Sequence, residues 1–245
     1  MGVDIGLETI ALITYMRTDS ISLSNDTLSL LRDKIKSEYG EDYIPKDPII
    51  YKTKKKNAQE AHEAIRPTDI NIHPESIKDS LTEEQFKLYN LIWRRTISSQ
   101  MVNAETKLST IRIANEDNSV LLKATIGKLI FDGYKKAYNI QDDDDEIFLL
   151  LDKVKIGDEF KIDSVESIEP FTSPPSRYTD ASLVKKLEEL DIGRPSTYAS
   201  ILQTIVNRGY VLKNGKAFLL NDRGRVVNVF LCNYFAKFLE YKFTA

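Results

Sequence analysis

The chain has 245 residues, 42% of them hydrophobic and 29% charged, a balance that excludes a disordered polymer and allows two or three small domains with real cores. It has no run of about 18 apolar residues, and "MGVDIGLETIAL" lacks a secretory pattern, so neither a membrane helix nor a signal peptide is expected. A lone Cys232 and two distant histidines exclude a disulfide framework and a structural zinc site, and suit a reducing, cytoplasmic setting. The net charge of −3 is unevenly spread. Residues 140–170 hold eleven acidic and three basic side chains, so that stretch carries −8 and the remainder +5, which leaves a polyanionic partner open.

In chain order, "LITYMRTDS" (12–20) opens like a buried strand. A two-residue period would put Tyr15, Arg17 and Asp19 on one face and Leu12, Thr14 and Met16 on the other. "SNDTLSLLRDKIKSEYG" predicts a helix with a Ser/Asn/Asp start, an apolar stripe of Leu28, Leu31 and Ile35, and a closing Gly40. Pro45 to Pro48 and the lysines of "YKTKKK" predict a loop, and "NAQEAHEAIRP" a short helix stopped by Pro67. "TEEQFKLYNLIWRRTISSQMV" predicts an amphipathic helix with Thr82 and Gln85 as a capping box.

The character then changes. "TKLSTIRI", "SVLLKATI", "EIFLLL" and "EFKIDSVESI" are short β-rich runs broken by Asn, Asp and Gly, which predict an antiparallel sheet over 103–170. From residue 171 helices return. "TDASLVKKLEELDIG" predicts a helix with Leu183, Val184, Leu187 and Leu190 inward and Gly193 at its end. "PSTYASILQTIVNRG" predicts a second helix starting at Pro195, and "YVLKNGKAFLL" a hairpin around Asn214-Gly215. Helix, turn, helix, hairpin is a winged-helix layout, used both for nucleic acids and for packing against partners. The expected fold class is therefore multidomain α and β: a helical domain over 1–102, an antiparallel β domain over 103–170 and a winged-helix-like α domain over 171–245.

Four constellations carry candidate chemistry. A phenol ionises near pH ~10, so Tyr15 is a nucleophile only where its surroundings favour phenolate. Arg17 would do that and could also bind a phosphate oxygen; the plain alternative is a strand-end tyrosine beside a surface arginine. In "AHEAIRPT", His62 and Arg66 are four apart and would share a helix face, suiting proton transfer and phosphate binding, or simply a polar surface. In "GRPSTYA", a helix beginning at Pro195 would aim free N–H groups toward Arg194, Ser196 and Thr197, an anion site, or a simple cap. Asp142, Asp144 and Glu146 in "QDDDDEIF" have a spacing that fits Mg²⁺, but an unbroken acidic run reads best as a solvated loop. The lysines among residues 52–56 read the same way.

Together, "LITYMRTDS", "AHEAIRPTD", "LYNLIWRRTISSQM" and "PPSRYTDASLVKKLEELDIGRPSTYASILQTIVNRGYV" resemble the central part of a bacterial type IA DNA topoisomerase, in the same order and spacing. The resemblance covers nearly the whole chain. It implies that Tyr15 is the catalytic tyrosine, that Arg17 stabilises the scissile phosphate and that His62 assists through hydrogen bonds. It also implies DNA contacts from Arg194, Ser196 and Thr197, with Asp19, Glu63, Arg66 and Arg177 as further candidates near these motifs. The domain over 1–102 would then be a lifting gate, 103–170 an arch, and 171–245 part of a groove for single-stranded or negatively supercoiled DNA, in a monomeric, nucleoid-associated protein.

The family's Mg²⁺ ligands lie in a Toprim domain that these residues do not match, so no metal ligand is expected here and the chain reads as a central fragment. "FLLNDRGRVV" departs from the usual family wording ahead of its glycine. A non-catalytic module that binds single-stranded DNA or acts as a scaffold is the alternative.

Overall fold

The computed structural model describes residues 2–5, 8–51, 62–140 and 153–240, and the chain separates into two compact units, 1–162 and 163–245. The lysines of 52–56 and the acidic run with "EIFLLL" lie outside the described residues.

The first unit begins with an antiparallel pair, β1 (Gly2–Ile5) and β2 (Glu8–Ala11), in the register Gly2↔Ala11 to Ile5↔Glu8. Helix α1 (Asn25–Glu38) starts where Ser24 accepts a hydrogen bond from the Thr27 N–H, and it buries Leu28, Leu31 and Ile35 as their spacing predicts. Helix α2 (Glu83–Ser99) opens with the expected reciprocal box: the Gln85 N–H donates to Thr82 Oγ1 at 3.3 Å and the Thr82 N–H to Gln85 Oε1 at 2.9 Å.

Trp93 anchors the core from α2. It is 2% exposed, and its indole N–H donates to the Ile70 carbonyl at 3.0 Å, so one side chain fills the interior and fixes the chain that follows Pro67. Buried Gln100 pairs with the backbone of Ile49 in both directions, at 3.1 and 2.9 Å, and so satisfies its amide where no water reaches. Burial also pushes the Tyr89 hydroxyl, bonded to the Ile72 carbonyl, up to about 12.

Strands β3 (Glu105–Ala114) and β4 (Leu121–Phe131) form a long antiparallel hairpin at the expected positions. The turn after it, Gly133–Tyr138, packs back on α2 and places Ala137 in the core. Gly133 sits at φ +47, and a Cβ there would lie 2.5 Å from the Asn103 carbonyl oxygen. The strand expected over 159–168 is absent. Its apolar residues are exposed, Val165 at 84% and Ile168 at 76%, and strand character is not held without a partner to take its backbone hydrogen bonds.

The second unit is built from α3 (Asp180–Glu189), α4 (Tyr198–Asn207), the hairpin β5 (Val211–Asn214) and β6 (Ala217–Leu220), and α5 (Asp222–Tyr234). Leu183, Val184, Leu187 and Leu190 of the α3 segment are half-buried rather than fully inward, and Leu202 and Phe218 are buried. The α3 helix closes on Asp191 in the left-handed region, not on Gly193: the Ile192 N–H reaches the Leu187 carbonyl and the Asp191 N–H that of Glu188. The hairpin turn is Gly215-Lys216, one residue later than expected, with Gly215 at φ +58.

Candidate active site

Strand β2 ends at Ala11, and the chain bends at Thr14 and again at Met16 and Arg17, so the predicted sharing of faces by Tyr15, Arg17 and Asp19 does not occur. The reason is a change of partner. Beyond Ala11 the chain pairs with residues 64–68: Ile13 bridges Pro67, the Thr14 N–H donates to the Arg66 carbonyl at 2.9 Å, and the Thr68 N–H to that of Leu12 at 3.0 Å. Leu12 is buried, whereas Tyr15 is 53% exposed. Arg17 is exposed two residues on, and Asp19 is half-buried.

Residues 62–66 are not helical, and His62 and Arg66 do not share a helix face; residues 57–61 of the expected helix lie outside the described residues. A helix here would need backbone donors that are used elsewhere. The Ala64 N–H goes to the Ser22 carbonyl and the Arg66 N–H to Thr14 Oγ1, and Pro67 biases Arg66 toward extended geometry. The extended path brings His62 beside the nucleophile candidate: the Tyr15 and His62 ring centroids are 5.1 Å apart at an interplanar angle of 44°.

Arg66 faces Glu63 instead. Its Nε and Nη2 donate to Glu63 Oε2 at 2.9 and 2.6 Å, and its Nη1 donates to the Pro67 carbonyl at 2.8 Å. The Ser24 N–H donates to the other Glu63 oxygen at 3.1 Å. Partial burial raises the Glu63 carboxyl, but the hydrogen bonds from Ser24 and Arg66 and the nearby guanidinium outweigh it and hold the group below its ordinary value.

The Arg194 loop is assembled from its own neighbours. The α4 helix begins at Tyr198, after a turn over 195–197, rather than at Pro195. The Thr197 hydroxyl accepts from the Arg194 N–H at 2.8 Å and donates to the Arg194 carbonyl at 3.1 Å. The Arg194 Nη1 alone donates to the Gly193 carbonyl at 2.7 Å and toward that of Asp191. Arg194, Ser196 and Thr197 are exposed, as is Arg177 in the irregular stretch before α3. Gly193, at φ +78, lets Thr197 and Tyr198 close to within 3.1 and 3.2 Å of where a Cβ would sit.

The family model described as DNA topoisomerase matches residues 7–245. The chain belongs to that family. It is 50% identical to the DNA topoisomerase 1 of Rickettsia conorii across all of this chain and 32% of the relative. It is 42% identical to that of Helicobacter pylori across 95% of this chain and 31% of the relative. The solved full-length topoisomerase I of Thermotoga maritima is 34% identical and covers 100% of this chain and 39% of its own, with a TM-score of 0.76, so these residues have a topoisomerase core fold. The chain thus spans about a third of the length of the curated relatives it matches.

Within this topoisomerase-family chain, sequence reasoning missed Thr14. Its hydroxyl donates to the Ala64 carbonyl at 2.8 Å and accepts from the Arg66 N–H at 3.0 Å, a role no local signal announces because both partners lie more than 45 residues away. Among the described residues, no group of three or more His, Cys, Asp or Glu side chains could hold a metal ion, and the carboxylate closest in sequence to His62, Glu63, is occupied by Arg66 and Ser24. The described residues therefore do not fit a Mg²⁺ site. No described helix is long and apolar enough to cross a membrane.

Proposed function

We propose that this chain carries the nucleophile of a type IA DNA topoisomerase, with Tyr15 as that nucleophile. The observation that carries the reading is the half-exposed Tyr15 ring held 5.1 Å from the His62 imidazole in a chain of this family. The Tyr15 hydroxyl oxygen attacks a phosphorus of one DNA strand. Its proton leaves, the bond from phosphorus to the 3′ oxygen breaks, and that oxygen takes up a proton. The 5′-phosphate stays on the tyrosine until the 3′-hydroxyl reverses the exchange, so the energy of the cut bond is kept and no nucleotide is consumed. His62 is the group beside the phenol suited to handle its proton, and exposed Arg17 suits the charge that develops on the phosphate.

Arg194, Ser196, Thr197 and Arg177 then contact DNA phosphates, preferentially on a single strand, with backbone and stacking contacts rather than base readout. The parts of the reading are a tyrosine gate over 1–102, a β arch over 103–170 and a winged-helix-like groove domain over 171–245, in a monomeric, cytoplasmic, nucleoid-associated enzyme that relaxes negative supercoils. Mg²⁺ belongs to the reading only through ligands of a Toprim domain beyond these residues.

The test mixes this chain with the complementary portion of the Rickettsia conorii relative, Mg²⁺ and a 3′-labelled single-stranded oligonucleotide, then denatures it. Label should stay covalently on this chain and vanish from Tyr15→Phe. An adduct that persists in Tyr15→Phe removes the reading. A gel shift dependent on Arg194 with no adduct would make the chain a non-catalytic module that binds single-stranded DNA.

A further inference from the structure

Residues 62–66 have no helix or strand of their own to place His62, yet the imidazole lies against Tyr15. What places it is a set of contacts from two directions. From the Tyr15 side, Thr14 turns three hydrogen-bonding groups on this one segment: its N–H on the Arg66 carbonyl, its hydroxyl proton on the Ala64 carbonyl, and its hydroxyl oxygen on the Arg66 N–H. From the α1 side, Glu63, the residue after His62, accepts from the Ser24 N–H with one oxygen and from the Arg66 fork with the other. The Ala64 N–H to Ser22 carbonyl bond at 2.9 Å closes the set.

We propose that Thr14, Glu63 and Arg66 are positioning residues that clamp His62 against Tyr15, and that Arg66 serves the site through Glu63 rather than by holding DNA phosphate. The proposal rests on the reading of Tyr15 as the nucleophile, with His62 as its partner. The chemistry supports the division of labour. A guanidinium that already gives Nε and Nη2 to a carboxylate and Nη1 to a carbonyl has its planar fork spent inside the protein. Thr14 is the residue immediately before Tyr15, so a bond made by its side chain fixes the tyrosine's backbone and the histidine's segment in one step.

The chain's two histidines make the clamp measurable without any activity. His62 lies against Tyr15 and His73 edge-on to Trp93, with centroids 4.7 Å apart, so the ring protons of each should be displaced in the proton spectrum by a different aromatic ring. Tyr15→Leu assigns the His62 signal. Thr14→Val keeps the branched shape but removes the hydroxyl; it should erase more than half of the His62 displacement and leave His73 in place, while Thr14→Ser should retain both. Glu63→Gln and Arg66→Lys should act like Thr14→Val.

A His62 signal that stays displaced in Thr14→Val and Glu63→Gln overturns the proposal, as does an undisplaced His62 in the parent chain. Should Thr14→Val lose both signals, it has unfolded and Glu63→Gln carries the test. Loss at both histidines in both variants would make these residues supports of the whole fold and would also overturn the proposal. The nucleophile reading fails by a separate sign, an adduct that survives Tyr15→Phe.

Discussion

The Tyr15 site and the Arg194 loop are built in opposite ways. Around Tyr15 the contacts join residues far apart in the chain: Thr14 to Ala64, Thr14 to Arg66, and Ser24 to Glu63. Around Arg194 they close within three residues, from Arg194 to Thr197 and back to Asp191 and Gly193. The first site exists only when the core beneath it is folded, whereas the second needs little more than a turn. On the proposed reading, geometry that must be set against a phosphorus atom would be placed on tertiary structure, and a phosphate contact that tolerates some freedom on a local loop.

The largest break in that comparison should come from the core. Trp93→Ala removes the side chain that fills the first unit and ties down Ile70, so it should lose about 3–5 kcal/mol of stability in denaturant unfolding, and with it the displacement of the His62 ring protons. Adduct formation should fall in step. A Trp93→Ala chain with an unaltered His62 signal would mean that the Tyr15 site is as local as the Arg194 loop.

A smaller loss, about 1–3 kcal/mol, is expected in the second unit from Gly224→Ala. Gly224 stands in the first turn of α5, where a Cβ would come within 2.3 Å of the Tyr210 carbonyl oxygen, and backbone cannot step aside as a flexible side chain would. The helix-to-hairpin packing depends on that close approach, because the Asn221 N–H also bonds the Tyr210 carbonyl. Thermal unfolding followed by ellipticity checks it; an alanine variant melting like the parent would show that α5 can shift outward freely.

Smaller again is Thr197→Val. The hydroxyl holds the Arg194 backbone at both its N–H and its carbonyl, and losing a side-chain hydrogen bond of this kind usually removes about 1 kcal/mol. The sharper readout is affinity for a single-stranded oligonucleotide, which should weaken through disorder of Arg194 while the His62 signal stays unchanged. An equal loss of both would contradict the local character of this loop.

The same contrast decides what could be read from the sequence. Ser24 as a cap, the stripe of Leu28, Leu31 and Ile35, the Thr82–Gln85 box and the Gly215 turn are all signals within one turn of chain, and each appears at or beside its predicted place. The path of 62–66 was not legible, because its backbone donors are taken by Thr14 and Ser22, and helical spacing of His62 and Arg66 is silent about such distant partners. The runs around Phe160 and Val165 have strand-like composition but no hydrogen-bonding partner among the described residues. The nearness of Tyr15 and His62 follows from the family resemblance rather than from spacing, and the helical face expected for His62 and Arg66 is not formed over 62–66.

The finest probe of the comparison is acid. Glu63 is pushed up by partial burial but held lower overall by Ser24 and Arg66, so its folded value lies below the ordinary 4.5. The unfolded chain therefore binds the proton more readily than the folded one, and the Glu63 contribution to stability is complete above 4.5 and lost as pH falls through the lower folded value. The side chains of Arg66 and Glu63 are 17% and 31% exposed, so solvent screens part of the pair, and the contribution should be on the order of 1 kcal/mol or less. The stability gap between the parent and Glu63→Gln should accordingly be widest near neutrality and close below 4.5. A stability gap that persists in acid would assign the effect to side-chain packing, and the link between the α1 N-terminus and the Tyr15 site would then be steric rather than electrostatic.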